Sequence, residues 1–284
     1  MRNLYIGALL VHDSVLPADL WLQAPIQGLE SPDMRVSVHD KPGEDGSVIT
    51  AVFYGSRTVT LNGFIRGATA AIYEANCIAF LAACVPSKDA FGYPTPTRIT
   101  FTTLSNNTYY FDAYIKPPVM DYDQINFRRY LLTMRTADPY IYSTTAKTTT
   151  ISRAIGGGAI VPFVVPVTLS ASSGGTGTVV NSGNGTSYPI LTLTGPLTNP
   201  YIANTTVGKA MQLNYTIPSG NTVIINMAQK TIMLNGTTSL LSAKTIDSEW
   251  WALVANSNNI QFSTSTTADT GYLKIDYNDA YIGI

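Results

Sequence analysis

Apolar side chains recur at every second position through most of this chain, and the period changes to a helical one at a single clear place. Alternation of that kind marks half-buried strands, with side chains pointing to opposite faces in turn. Arg57 to Gly67 alternates with Val59, Leu61 and Ile65 on one face. Phe127 to Arg135 does so again, with Phe127, Arg129, Leu131, Thr133 and Arg135 on one side and Arg128, Tyr130, Leu132 and Met134 on the other. Val48 to Leu61 has strand composition with Gly55-Ser56 as a turn, and Arg98–Thr103 and Tyr109–Ile115 read as strands joined around Ser105-Asn106-Asn107. Between them, Ile72, Ala75, Cys77-Ile78-Ala79, Leu81-Ala82 and Val85 fit an amphipathic helix, with Thr69 as N-cap and Pro86 as stop. The first half is thus expected to be a β-rich body carrying one helix.

The second half shows no convincing helix. Short strands are expected at Val161–Leu169, Gly177–Asn181, Pro189–Thr194, Tyr201–Asn204, Met211–Ile217, Thr222–Asn226, Thr231–Leu234, Trp251–Val254, Asn259–Ser263 and Tyr272–Tyr277. Asn235-Gly236 is a hairpin dipeptide, and Ser219-Gly220-Asn221 is another turn. Many short strands rich in Thr and Val indicate an antiparallel sandwich or jelly roll. Charge changes along the chain as well. Residues 1–145 hold 11 basic and 13 acidic side chains, whereas residues 146–284 hold 6 and 5. That shift, with Gly156-Gly157-Gly158 just beyond it, predicts two domains, 1–140 and 141–284, with a linker at about 141–160.

At 284 residues and 45% hydrophobic, the chain can bury a large core and is not of disordered composition. Only 12% of residues are charged, against about 25% in ordinary proteins. With 17 Lys+Arg against 18 Asp+Glu, there is no electrostatic case for nucleic acid or an anionic membrane. No apolar run reaches the ~20 residues of a spanning helix. Leu4–Val11 follows a lone Arg2 and ends at His12-Asp13 without a small-residue cleavage site, so it reads as a strand rather than a secretion signal. Cys77 and Cys84 share one helix side but lie about 10 Å apart along its axis. That is beyond the roughly 7 Å that a disulfide tolerates, so two buried free thiols are expected. Two Cys and two scattered His make no zinc site.

Candidate chemistry is sparse. His12-Asp13 has the residue types of a base and its orienter, but adjacent strand residues face opposite ways. His39-Asp40 repeats the pair just before Lys41-Pro42-Gly43, which reads as a turn. Asp121-Tyr122-Asp123 and Glu44-Asp45 fit solvated loop acids better than a glycosidase pair or a calcium loop. Gly156-Gly157-Gly158 and Gly174-Gly175-Thr176-Gly177 lack the Lys-Ser/Thr and the helix of a phosphate loop, and read as links or turns. No catalytic, cofactor-binding or metal-binding residue is therefore expected, and no cofactor. The aromatics are the richer group. Trp250 and Trp251 are candidates for stacking against a sugar ring, although neighbours on a strand cannot share one platform and core packing accounts for them as well.

The order of segments resembles the distal tail protein of long-tailed, non-contractile bacteriophages. Ser56–Gly67 followed by the Thr69–Val85 helix resembles that family's strand-then-helix signature. Thr136–Tyr142 resembles its junction pattern a-D-P-Y-x-Y. Tyr188–Gly195 resembles its P-x-I/L-x-I/L-x-G strand, and Asn199–Asn204 its N-P-x-I-x-N step. Thr231–Gly236 resembles its x-V-x-L-N-G hairpin, and Trp250-Trp251-Ala252-Leu253 with Asn259-Ile260 its late W-x-x-L…N-x-I. Ala252–Asn259 departs from the pattern, because relatives often carry a Gly before the Asn.

The resemblance implies a mainly β protein with an N-terminal ring-forming domain and a galectin-like C-terminal sandwich. It implies a structural part of the virion at the distal end of the tail, made in the host bacterial cytoplasm, with no catalysis. Its implied partners are five further copies in a hexameric ring, the tail tube protein, the tape-measure protein, the tail-tip hub and adhesion proteins. DNA would pass the channel without sequence-specific contact, and no membrane is involved. The alternative expectation is a carbohydrate-binding β-sandwich module contacting host cell-wall polysaccharide. Low charge suits permanent assembly, because little self-repulsion keeps copies apart. Inter-subunit contacts are expected on the Val48–Arg66 strands and the first-half loops.

Overall fold

A computed structural model describes residues 1–13, 20–22, 26–124, 126–153 and 175–284. The chain divides into two compact units, residues 1–144 with 281–284, and residues 145–280.

The first unit contains β1 (Asn3–Ile6), β2 (Leu9–Asp13), β3 (Leu20–Leu22), β4 (Met34–Asp40), β5 (Ser47–Tyr54), β6 (Arg57–Arg66), α1 (Ala70–Cys84), β7 (Ser87–Lys88), β8 (Pro94–Thr95), β9 (Thr97–Thr102), β10 (Thr108–Ile115), β11 (Val119–Gln124) and β12 (Phe127–Thr136), together with the start of β13 (Ile141–Ser152). One sheet runs β2-β1-β9-β10-β13 and the other β3-β6-β12-β11. The end of β10 joins them, with Tyr114 opposite Arg135 and Ile115 opposite Met134. β6 and β12 are antiparallel over their full ten residues, from Arg57 opposite Thr136 to Arg66 opposite Phe127. Their inward residues Val59, Leu61, Ile65, Tyr130, Leu132 and Met134 are all buried, as the alternation requires. Leu4, Ile6, Ile99, Phe101 and Phe111 close the core from the other sheet.

α1 begins where the sequence places it. The Thr69 hydroxyl accepts from the Ile72 N–H at 3.3 Å, satisfying one of the first-turn amides. Pro86 follows the C-cap residue Val85. Cys77, Phe80 and Cys84 form its buried stripe, and the Phe80 ring lies 4.5 Å from that of Tyr130. Both cysteines are free and buried.

The second unit takes the rest of β13, then β14 (Thr176–Asn181), β15 (Ile190–Thr194), β16 (Leu197–Thr198), β17 (Tyr201–Asn204), β18 (Lys209–Gln212), β19 (Thr216–Ile217), β20 (Thr222–Asn226), β21 (Thr231–Leu234), β22 (Thr238–Ser239), β23 (Asn256–Ser263) and β24 (Tyr272–Tyr281). One sheet runs β13-β24-β15-β20-β21-β22, a second runs β14-β23-β17-β18, and β16 pairs with β19. β14 with β23, β15 with β20 and β24, β17 with β23, and β20 with β21 pair antiparallel, and the two large sheets contribute Leu191, Val223, Ile225 and Leu273 on one side and Val179, Ile202, Ile260 and Phe262 on the other to a single core. The protein is mainly β, with α1 the only α-helix among the described residues.

Four expectations meet a different outcome. Residues 141–152, expected in the linker, form the strand β13; their threonines are β-branched and suit a pleated surface as well as a polar loop. Met211–Ile217 is broken, because β18 pairs with β17 whereas β19 pairs with β16. Trp251–Val254 is not a regular strand, and only Leu253 bridges, to Ser187. Thr176 and Gly177 begin β14 rather than a turn. The expected strand Val161–Leu169 and the triplet Gly156-Gly157-Gly158 lie outside the described residues.

Candidate interaction surfaces

The residues singled out for chemistry do not converge. His12 is buried on β2 beside the also buried Asp13, and burial, reinforced by the N-terminal ammonium, lowers the imidazole pKa against a raising effect of Asp13. His39 and Asp40 end the exposed strand β4, and Glu44 and Asp45 lie in the exposed turn after it. Asp121 is on β11, opposite Arg129. Both line an open groove of about 520 Å³ with Asn62, Gly63, Val119, Tyr130 and Leu131, on the face of the β6–β12–β11 sheet away from the core. That groove pairs one acid with one base and brings no His, Ser or Cys nucleophile to them. Among the described residues, no group of three or more His, Cys, Asp and Glu could hold a metal, and no helix is long and apolar enough to cross a membrane.

Trp251 is 3% exposed and packs in the core of the second unit, and Trp250 is half-buried against it. Stacking on a sugar needs an open ring face, so Trp251 has none to offer and any platform is left with Trp250.

Sequence reasoning missed the groups that hold the turns. Asn204 and Asn258 are both buried, and Asn204 Nδ2 donates to Asn258 Oδ1 at 3.2 Å. Asn258 Nδ2 donates to the Val254 carbonyl at 2.8 Å, while its Oδ1 accepts from the Val254 N–H at 3.0 Å. These amides replace missing strand partners where the chain leaves its ladder. The signal in the sequence is the Asn that closes Asn199–Asn204 and the asparagine run near Asn256.

The unusual surfaces are apolar and lie in the first unit. β4 and β5 form a two-stranded ribbon that pairs with no other described strand and is exposed along nearly all of its length. Met34 stands opposite Tyr54, Val36 opposite Val52 and Val38 opposite Ile49. Directly opposed residues share a face, so one face of the ribbon is apolar at three successive rungs. A one-residue irregularity in β5 after Ser37 preserves that facing. The ribbon is closed at its base by the Gly55 N–H donating to the Asp33 carbonyl at 2.6 Å, and the Tyr54 ring meets Tyr140 edge-on at 6.3 Å. The second surface is the outer side of α1, where Ile78 is 69% and Val85 65% exposed. The expected contact region Val48–Arg66 is thus divided: β5 is open, whereas the alternate residues of β6 are in the core.

The chain is thus a β-rich body with one helix, followed by a unit of two antiparallel sheets. Residues 182–281 match the family model described as siphovirus-type tail component, C-terminal domain. Over nearly its whole length the chain is similar to the crystal structure of the Dit protein of phage SPP1, described as a paradigm of the hub adsorption apparatus in phages that infect Gram-positive bacteria. That likeness has a TM-score of 0.64 at 14% identity, covering 91% of this chain and 92% of that one. A chain of the phage P2 baseplate in its activated conformation with calcium is also similar, with a TM-score of 0.50 at 11% identity over 97% and 98% of the two chains. The corresponding strontium structure has a TM-score of 0.50 at 11% identity over 96% of each. At such identities the likeness is one of fold. No curated protein sequence matches the chain.

Proposed function

We propose that this chain is a structural component of a phage tail tip or baseplate, and that its first unit assembles into a hexameric ring joining the tail tube to the distal hub. The observation that carries the reading is a concurrence. A tail-component family model matches residues 182–281, and the fold of a tail hub protein matches 91% of the whole chain, including the first unit that the family model does not cover. In this reading the second unit is the galectin-like arm that faces outward and holds adhesion proteins. The tape-measure and tube proteins meet the ring, and DNA passes through its channel. The work is contact-making, and no substrate bond is broken.

The experiment is assembly of the full chain. Light scattering at increasing concentration is expected to give a mass several times that of one chain, with ring-shaped particles in negative stain. A protein that stays monomeric at high concentration overturns the reading. The sugar-binding alternative is left with Trp250; a glycan array in which Trp250→Ala changes nothing removes it.

A further inference from the structure

Among the described residues, the ribbon and the outer side of α1 are two uncovered apolar surfaces on one unit, and each has the form the other lacks. Residues 71, 75, 78, 82 and 85 follow the +4,+3 spacing that keeps side chains on one helix face. They are Ala71, Ala75, Ile78, Ala82 and Val85, and every one is exposed. The buried stripe Cys77, Phe80 and Cys84 lies on the opposite side. A helix apolar all round belongs in an interior, yet here one side alone is covered. Its three alanines carry only a methyl group each beside Ile78 and Val85, so a flat object can approach the helix closely.

The apolar ribbon face is such an object. An isolated two-stranded hairpin is marginal in water, and a hydrophobic face needs a surface to pack on. The ribbon's exposed Met34, Val36, Val38, Ile49 and Val52, at 46–63% exposure, have none among the described residues. Together with Tyr54, that face presents on the order of 500 Å² of surface, somewhat less than one partner contributes to a standard interface, whereas Phe53 stands opposite Arg35 on the other face. Charge stands at the edge of each face: Glu74, the only ionised side chain on α1, lies one turn before Ile78, and Asp40 ends the Met34–Val36–Val38 row opposite Ser47, whereas Arg35 is on the other face of the ribbon.

We infer that the apolar face of the β4–β5 ribbon of one copy docks on the Ala75–Ile78–Val85 face of α1 in a second copy of this chain. Each copy then carries one donor and one acceptor, which is a heterologous contact, and such contacts close into a ring when the rotation divides the circle. The inference rests on the ring reading and names the surfaces that make it.

Two full-length variants, Val36→Cys and Ala75→Cys, are prepared separately and mixed with a short bis-maleimide. A covalent dimer that forms in the mixture and not in either variant alone is expected. Val36→Asp with Val52→Asp is expected to raise the concentration needed for assembly about tenfold or more, with an unchanged circular dichroism spectrum, whereas Ser37→Asp on the opposite face leaves assembly as it was. Wild-type rings with no cross-linked dimer in the mixture overturn the docking and leave the ring reading standing, as do rings that persist in the double variant. A monomeric wild-type chain overturns both. If the double variant loses its folded spectrum, the cross-link alone decides.

Discussion

The guanidinium of Arg57 donates twice to the carbonyl oxygen of Pro139, from Nη2 at 2.9 Å and from Nε at 3.1 Å. Nη1 donates to the Gly28 carbonyl at 2.6 Å, and Nη2 also reaches the carbonyl of Ile282. Arg57 is fully buried. It begins β6, and Pro139 belongs to the Asp138-Pro139-Tyr140 junction, so two stretches 82 residues apart in the chain are fastened by one side chain. Asp138 completes the junction by accepting from the Tyr140 N–H at 3.0 Å and from the Tyr142 hydroxyl at 2.7 Å. Burial raises its pKa, against the lowering effect of those hydrogen bonds and of Arg57. The carbonyl of Gly28 is presented by a residue with φ +90 that lies against the Thr58 backbone, where a Cβ has no room.

Arg57→Ala is expected to lower the stability of the first unit by about 2–4 kcal/mol, because three part-buried carbonyls lose their charged donor together. Arg57→Lys should recover only part, since an ammonium cannot span the same acceptors as a fork. Urea unfolding of the full chain, followed by a probe in the first unit, measures both. A wild-type midpoint for Arg57→Ala refutes the assignment.

Deleting residues 282–284 should destabilise the first unit by about 2–3 kcal/mol. The deletion removes the Ile282 acceptor of Arg57 and the Ile284 N–H that donates to the Leu29 carbonyl at 3.3 Å. Limited proteolysis of the shortened chain should cut first between residues 26 and 33, and cleavage confined to the second unit would contradict this.

Lys147 Nζ lies 2.7 Å from Asp279 Oδ2 and 2.9 Å from its Oδ1, and also donates to the Ser182 hydroxyl at 2.9 Å. The Asp279 side chain is 9% exposed and that of Lys147 32%, so solvent screens one end of the pair. Lys147→Met is expected to cost about 1–3 kcal/mol by leaving the carboxylate without its cation. Adding Asp279→Leu should return part of it, which a double-mutant cycle on thermal unfolding reads directly.

Burial of His12 sets the sign of one pH effect. Its pKa is lowered below 6.5 in the folded protein, so below that pH the unfolded chain binds more protons and stability falls. Stability from this group is complete above 6.5 and is lost progressively as pH drops toward and through the lowered folded value. Denaturant midpoints measured from about pH 7 to about pH 5 should fall in the wild type, and the His12→Gln variant should lack that share of the slope. Equal slopes in the two proteins would show that His12 contributes nothing.

Burial pushes the Cys84 thiol up to about 11. Reaction of Cys84 with an aromatic disulfide reagent at neutral pH should therefore be slow in the folded protein and fast in denaturant, because the thiolate is the reacting species. Rapid native labelling of both thiols would mean that α1 opens readily.

Local pattern was enough for much of this chain. The boundaries of α1, its Thr69 cap and its Pro86 stop follow from neighbouring residues, as do the facing of Val59, Leu61, Ile65, Leu132 and Met134 and the strands β20 and β21. The Asn235-Gly236 turn is equally local, since both residues take positive φ, 49 and 72, which that dipeptide tolerates. Periodicity, caps and turn chemistry act within a few residues, so they are written in the order of the side chains.

Tertiary structure alone decided where those elements met anything. Met34, Val36 and Val38 alternate as well as Val59 and Leu61 do, yet the first set is exposed and the second is buried. Alternation states which residues share a face and is silent on whether a second layer covers it. The same limit explains why β18 and β19 could not be separated, why Trp250 and Trp251 left two readings open, and why nothing near Arg57 announced Pro139. Each depends on chain segments brought together from far apart, and the free energy that chooses among such meetings comes from burying surfaces the local sequence does not contain.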